Sequence, residues 1–342
     1  MDNQQPLLSV RNLKTYFKLD EGLVKAVDGV SFDVLPKQVV GIVGESGCGK
    51  SVTIKSVLRI IEKPGEIVGG EINLRMGGKN GDGEVIDLAQ LKAESRQMRD
   101  IRGNDIALIP QEPMAAFSPV HTIGNQIIEA IRLHQPVSKN EARKIAIERL
   151  REVGVPSPEQ RIDAYSWELS GGLRQRAMIA MALSCNPRLL IADEPTTAID
   201  VTTQAQVLLL LKQLQEQHNT SIIFITHDLG VIAQIADYVV VMYLGRVMET
   251  GPVDDIFHNP QHPYTKALLE SIPTVYTEAQ SKLPTIEGAI PHPFNRPAGC
   301  PFYPRCPAVM VGTCNTRTPA LLPVNSVQSA ACFLHHSEAE ET

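Results

Sequence analysis

Aromatic side chains make up only 5% of the 342 residues, and there is a single tryptophan, so the composition does not build a base-stacking platform for single strands. Positive charge is in the minority too: the formal net charge is −6, which argues against a broad nucleic-acid surface. No apolar run comes near the roughly 20 residues that a membrane-crossing helix needs. The richest, QVLLLLKQL and YVVVMYLG, have the lengths of a core helix and a core strand. The N-terminal MDNQQPLLSV has neither a basic start nor an apolar signal core, which predicts a cytoplasmic chain. What is present, 43% hydrophobic and 20% charged residues, is an ordinary globular composition, long enough for one large domain plus a small one.

In a reducing compartment, six cysteines read as thiols or metal ligands rather than disulfides. Their spacing is uneven. Cys48 sits in a glycine-rich stretch and Cys185 in an apolar one, and both read as packing residues. Cys300, Cys306, Cys314 and Cys332 all fall in the last 43 residues.

Residues 7–43 read as short, β-branched strands. Residues 51–62, SVTIKSVLRIIE, carry apolar positions at helical spacing after a glycine turn. Residues 63–105 read as irregular, with MGGKNGDGE an exposed loop. From Thr122 to Cys185 the pattern is helical, with Ile123, Ile127, Ile128 and Ile131 on one face. RLLIAD and SIIFITHD then read as strands buried on both sides, as in a parallel sheet. This order predicts an α/β nucleotide-binding core with a helical insertion. Past Pro252 comes one amphipathic helix, HPYTKALLESIP, and then nine prolines between Pro284 and Pro323, which exclude long helices and central strands. With four cysteines there, the tail is expected to be held by a metal rather than by a large core.

GESGCGKS, residues 44–51, fits G-x-x-x-x-G-K-S/T between the apolar strand VVGIV and a helix, the context this motif requires. Gly44, Gly47 and Gly49 let the backbone turn its N–H groups, with those of Glu45, Ser46 and Cys48, toward phosphate oxygens. The helix start adds its positive end. Lys50 reaches the β- and γ-phosphates of ATP in such loops, and Ser51 binds Mg²⁺. RLLIADEP supplies a carboxylate for the metal, Asp193, at a strand end, and a second, Glu194, as general base for the attacking water.

Across residues 7 to about 255 the chain resembles the ATP-binding cassette (ABC) ATPases. LSGGLRQR at 169–176 matches their signature, PQEP at 110–113 their Q-loop with Gln111, TAID at 197–200 their D-loop with Ile199 where Leu is usual, and ITHD at 225–228 their H-loop with His227. Phe17 stands where the family stacks an aromatic on adenine, with Tyr16 as the alternative. The resemblance implies a P-loop fold, a RecA-like core plus a helical subdomain at about 113–186, whose cassettes dimerise head to tail. Ser170, Gly171, Gly172 and Gln175 of one signature would then cover the ATP held by the other phosphate loop. It further implies that Gln111 touches Mg²⁺ and that His227 contacts the γ-phosphate beside Glu194.

HPYTKALLESIP at 262–273 and GCPFYPRCP at 299–307 resemble the ATPase subunits of oligopeptide and dipeptide importers, extending the likeness over nearly the whole chain. The resemblance implies an ATPase domain over 1–255 and a small irregular Cys/Pro-rich C-terminal domain over 256–342. The tail cysteines read C-x5-C-x7-C-x17-C, neither the C-x2-C pairing of common zinc sites nor a ferredoxin run. In the resembled subfamily such cysteines imply a 4Fe–4S cluster, with structural zinc or free thiols as alternatives. Implied partners are two transmembrane permeases, a second and different ABC ATPase, and indirectly an extracytoplasmic substrate-binding protein, at the cytoplasmic face of the membrane, with no nucleic acid. Peptides are the implied cargo; related systems carry nickel, glutathione or oligosaccharides. A soluble ABC ATPase acting on ribosomes or DNA would carry two cassettes or long heptads, and this sequence has one cassette and no sustained heptad run.

Overall fold

The computed structural model describes residues 4–77, 83–112, 116–197, 200–272 and 286–336. Their strands and helices begin with β1 (Leu8–Leu19), β2 (Gly22–Val34), β3 (Val39–Val43), α1 (Lys50–Val57), β4 (Gly65–Arg75), β5 (Val85–Asp87), α2 (Arg96–Ile101) and β6 (Ile106–Ile109). Then come α3 (Ile123–His134), α4 (Lys139–Glu152), α5 (Pro158–Arg161), α6 (Gly171–Ala182), β7 (Leu189–Asp193), α7 (Val201–His218) and β8 (Ser221–Ile225). The remainder is α8 (Leu229–Ile235), β9 (Tyr238–Tyr243), β10 (Arg246–Pro252), α9 (Val253–His258), α10 (Pro263–Glu270) and the short strands β11 (Leu322–Pro323) and β12 (Ser329–Ala330).

The chain divides into two compact units, one of residues 1–34, 40–90 and 226–342, the other of residues 35–39 and 91–225. In the first, β1 runs antiparallel between β2 and β4, and β5 pairs with β4. A separate set begins with β3, which pairs in parallel with β9; β9 pairs with β10, β10 with β12 and β12 with β11, all antiparallel. Every residue of β3, VVGIV, is buried, as a strand covered on both faces requires.

Two expectations fail here. Residues 63–105 are not irregular throughout: β4, β5 and α2 lie within them, while residues 78–82 of the expected MGGKNGDGE loop lie outside the described residues. The pair Gly69 and Gly70 interrupts the alternation of β4, and β1 shifts register opposite it, between Arg11 and Lys14, which hides the strand period. The helix expected over 51–62 stops at Val57, because Arg59 takes a left-handed backbone, φ 55°.

In the second unit β7 lies between β6 and β8, both pairings parallel. Its helices follow the predicted pattern: Ile123, Ile127, Ile128 and Ile131 of α3 are buried. Thr122, Ser138 and Ser170 cap α3, α4 and α6, each side-chain oxygen accepting an N–H three residues on.

The tail past Pro252 has only short elements, as its prolines dictate, but the metal-only expectation is too narrow. Tyr264 of α10 and Phe302 are fully buried against Tyr243 of β9, with ring centroids 4.7, 5.2 and 5.4 Å apart. Such packed aromatics supply a core of their own. Glu249 of β10, also fully buried, accepts the backbone N–H groups of Gln261 at 2.7 Å and His262 at 2.9 Å.

Candidate functional site

Strand β3 delivers the chain into residues 44–49 and α1 takes it out. The turn between them needs glycine at its two ends. A Cβ on Gly44 would lie 2.1 Å from the Met242 carbonyl oxygen, and one on Gly49 2.3 Å from that of Ala26; both glycines have positive φ. Lys50 is 6% exposed and donates to the carbonyls of Gly44 at 2.7 Å and Glu45 at 3.2 Å, so its ammonium is held within the loop. Cys48 is buried behind the loop, its sulfur 3.7 Å from the Lys50 ammonium, and burial pushes its thiol pKa up. It packs, as the sequence suggested, and so does Cys185, which is buried.

Tyr16 and Phe17 follow one another on β1. Tyr16 commits its hydroxyl to Asp28 at 2.6 Å, with the Lys25 ammonium 5.5 Å from its ring centre. Phe17 is half-buried, and its ring reaches the Gly65 position.

The second unit brings Gln111, which follows β6, to Glu194, which follows β7. The Gln111 side-chain amide donates to the Glu194 carboxylate at 3.0 Å and the Thr197 hydroxyl donates to the same oxygen at 3.1 Å. Glu194 holds a left-handed backbone, φ 47°, and its N–H donates to the Ile225 carbonyl at 2.9 Å. A non-glycine residue in that region costs on the order of 1 kcal/mol or more, and such strain collects at working sites. Asp193 ends β7 in register with Ile225.

Signature residue Ser170 is the N-cap of α6, accepting from the Leu173 N–H at 3.4 Å. Among the described residues, a Cβ on Gly171 would meet nothing within 4 Å, and one on Gly172 only the Thr203 methyl, at 3.5 Å. The first turn of α6 therefore stands open, with backbone donors at its positive end. Gln175 lies elsewhere: it is 1% exposed and donates to the Pro195 carbonyl, tying α6 to the turn after Glu194. In the first unit, the exposed His227 lies just before α8. The Asp228 N–H donates to the Thr226 hydroxyl at 3.0 Å, and the Asp228 carboxylate caps α8. Pro113 of the Q-loop and Ile199 of the D-loop lie outside the described residues.

Residues 27–197 match the ABC transporter family, and residues 248–314 match the oligopeptide/dipeptide transporter C-terminal region. A probable peptide ABC transporter ATP-binding protein, y4tR of Sinorhizobium fredii, is 48% identical over 328 residues, 96% of this chain and 94% of that protein. The chain belongs to the ABC transporter ATP-binding proteins. The oligopeptide transport ATP-binding protein AppD of Bacillus subtilis is 48% identical over 336 residues, 98% of each chain. In fold, this ABC ATPase is similar to a dimeric ATP-binding cassette in a post-hydrolysis state bound to ADP and Pi. The TM-score is 0.61 at 24% identity, covering 72% of this chain and 98% of that one. Among the described residues no helix is long and apolar enough to cross a membrane.

Sequence reasoning missed two groups in this ABC ATPase. Asp28 gathers Tyr16, Arg246 at 2.9 Å and Arg296 at 2.8 Å. Arg305 reaches Glu45 of the phosphate loop. Both depend on residues more than two hundred positions apart, and no local period or motif announces them. The four tail cysteines do come together, lining one small cavity with His262, Tyr303 and Phe333. Burial, with the neighbouring thiols adding to it, pushes Cys300 up to about 12 and Cys332 up to about 11. Sharing a cavity is a looser condition than ligation, however: no group of three His, Cys, Asp or Glu side chains among the described residues is arranged to hold a metal ion.

Proposed function

We propose that this ABC ATPase is the ATP-hydrolysing subunit that energises a peptide importer. The observation that carries the reading is the phosphate loop, where two glycines that admit no Cβ bend the chain around a buried lysine ahead of a helix. In the proposed roles, the backbone of Gly44 to Gly49 and the Lys50 ammonium bind the ATP phosphates. The Ser51 hydroxyl, the Gln111 amide oxygen and the Asp193 carboxylate are each hard oxygen donors of the kind Mg²⁺ takes. When bound, Mg²⁺ neutralises charge on the phosphates. Glu194 accepts a proton from water as its oxygen attacks the γ-phosphorus and the bond to the β-γ bridging oxygen breaks; the strained backbone of Glu194 supports that assignment. His227 orients the γ-phosphate, and Phe17 stacks on adenine.

The open α6 start supports the second half of the reading: Ser170, Gly171 and Gly172 cap the ATP of a partner cassette, and Gln175 links that cap to the Glu194 turn through Pro195. In this reading the ATPase domain is 1–255, with its helical subdomain at about 113–186, and the C-terminal domain is 256–342; a separate match over residues 248–314 supports a distinct C-terminal region. Two transmembrane permeases, a second and different ABC ATPase and an extracytoplasmic binding protein complete the importer, with this subunit peripheral at the cytoplasmic membrane face. A mild-detergent pull-down of the tagged chain from native membranes tests this. Two polytopic permeases and a second cassette ATPase are expected, and ribosomes or nucleic acid in their place would overturn it.

Four sulfurs on one cavity are a donor set suited to iron–sulfur clusters and to zinc. We propose that Cys300, Cys306, Cys314 and Cys332 close around a 4Fe–4S cluster, with zinc as the alternative. Anaerobic purification followed by iron, sulfide and zinc analysis decides between them, and a chain holding none of the three removes the idea.

A further inference from the structure

The phosphate-loop motif leaves four positions open between its first glycine and its G-K pair, and this chain puts a carboxylate in the first of them. An acidic side chain beside a phosphate site opposes ligand charge unless something neutralises it. Here Arg305 does so through a two-pronged contact, Nη1 to the Glu45 carboxylate at 2.7 Å and Nη2 to its other oxygen at 3.1 Å. The Arg305 side chain is 4% exposed.

Arg305 is itself fixed. Its Nε donates to the Glu287 carbonyl at 3.2 Å, its Nη2 to that of Ile286 at 3.3 Å, and its Nη1 to the Tyr243 hydroxyl at 3.3 Å. It leaves the chain from a tight turn in which the Arg305 N–H donates to the Phe302 carbonyl at 3.0 Å. A second tail residue grips the same loop position by its backbone: the Glu45 N–H donates to the Tyr264 hydroxyl at 3.0 Å. The Glu45 carbonyl meanwhile accepts from Lys50. One residue of the loop is thus held by its N–H, its C=O and its carboxylate, and two of the three holders come from the tail.

We propose that Arg305 and Tyr264 are positioning residues of the phosphate loop, through which the C-terminal segment sets the affinity for ATP. The proposal rests on reading residues 44–51 as the ATP loop. The test is equilibrium titration of the full chain with a fluorescent methylanthraniloyl-ATP, beside steady-state ATPase kinetics and thermal unfolding. R305Q is expected to raise the dissociation constant and KM for ATP roughly tenfold, the scale of a lost charge-assisted pair, with a smaller change in kcat. R305K, which keeps the charge without the fork, should fall between R305Q and wild type. Y264F keeps the ring packing and loses the hydroxyl, so it should weaken binding by about threefold. Because Arg305 acts through Glu45, E45Q/R305Q should bind no more weakly than R305Q alone. Wild-type affinity in both R305K and Y264F would overturn the inference, whether or not R305Q folds, and so would additive losses in the double variant. A wild-type chain that does not bind the probe would instead sink the ATP-loop reading.

Discussion

The side-chain amide of Gln111 donates a 3.0 Å hydrogen bond to the Glu194 carboxylate, joining the residue that follows β6 to the one that follows β7. With the Thr197 hydroxyl on the same oxygen and the backbone held left-handed, the carboxylate has one defined direction. Substituting Glu194→Gln keeps the shape and removes the base. Phosphate release should fall about 100-fold or more, the scale of a lost general base, while methylanthraniloyl-ATP titrates as in wild type. Near-native turnover would dismiss Glu194 from that role.

Gly171 makes a contrasting case. Among the described residues nothing lies within 4 Å of where its side chain would begin. Gly171→Ala should leave the unfolding temperature of the isolated chain unchanged to within about 0.5 kcal/mol of stability. In the assembled transporter it should cut ATPase activity severely, because the added methyl stands where a partner's ATP is proposed to lie. Unchanged activity in the assembly would refute that placement.

Much of this was legible from sequence, for definite reasons. The buried strands VVGIV, LLIAD and SIIFI are apolar on both faces, and α3 repeats isoleucine at helical spacing; such periods survive in any context. The phosphate loop and signature are short motifs whose chemistry is local. β4 escaped because Gly69 and Gly70 break its period where β1 shifts register. Glu45–Arg305 and Asp28–Arg296 escaped because each joins residues on opposite ends of the chain, and charged residues in a sequence do not declare their partners. The tail cysteines were legible as a group, since all four reach one cavity, but not as a ligand set.

Asp28 is 6% exposed and carries two arginines and a tyrosine. Burial alone would raise its pKa; the Tyr16 hydrogen bond and the charges of Arg246 and Arg296 outweigh it and hold the carboxyl below the usual range. Asp28→Asn leaves two guanidinium groups facing a neutral amide. Urea unfolding should show a loss of about 3 kcal/mol, the scale for breaking a buried pair from one side. A loss under about 1 kcal/mol would mean that water replaces the carboxylate.

His218 ends α7 beside Glu152, with Nε2 3.6 Å from the carboxylate and little exposure. Burial and then the Arg149 charge lower its pKa, and Glu152 restores only part of the shift. A lowered pKa means that the unfolded chain takes up the proton first. The full stability is therefore present above the ordinary imidazole value near 6.5 and drains away as pH falls below it, by up to about 1.4 kcal/mol per pH unit. Comparing urea midpoints at about pH 7.5 and about pH 5.5, His218→Gln should show the flatter dependence. Equal slopes in the two proteins would place the acid sensitivity elsewhere.

Residue 255 falls inside the matched C-terminal region, residues 248–314, and it makes a poor place to cut the chain. A fragment stopping there would strip Glu249 of the Gln261 and His262 N–H groups that satisfy it, and Tyr243 of the rings of Tyr264 and Phe302. It would also leave β10 without β12, an unpaired edge free to recruit another strand. Anyone wanting the cassette by itself for crystallography or screening should expect inclusion bodies from that fragment, and soluble protein only when the tail is expressed with it.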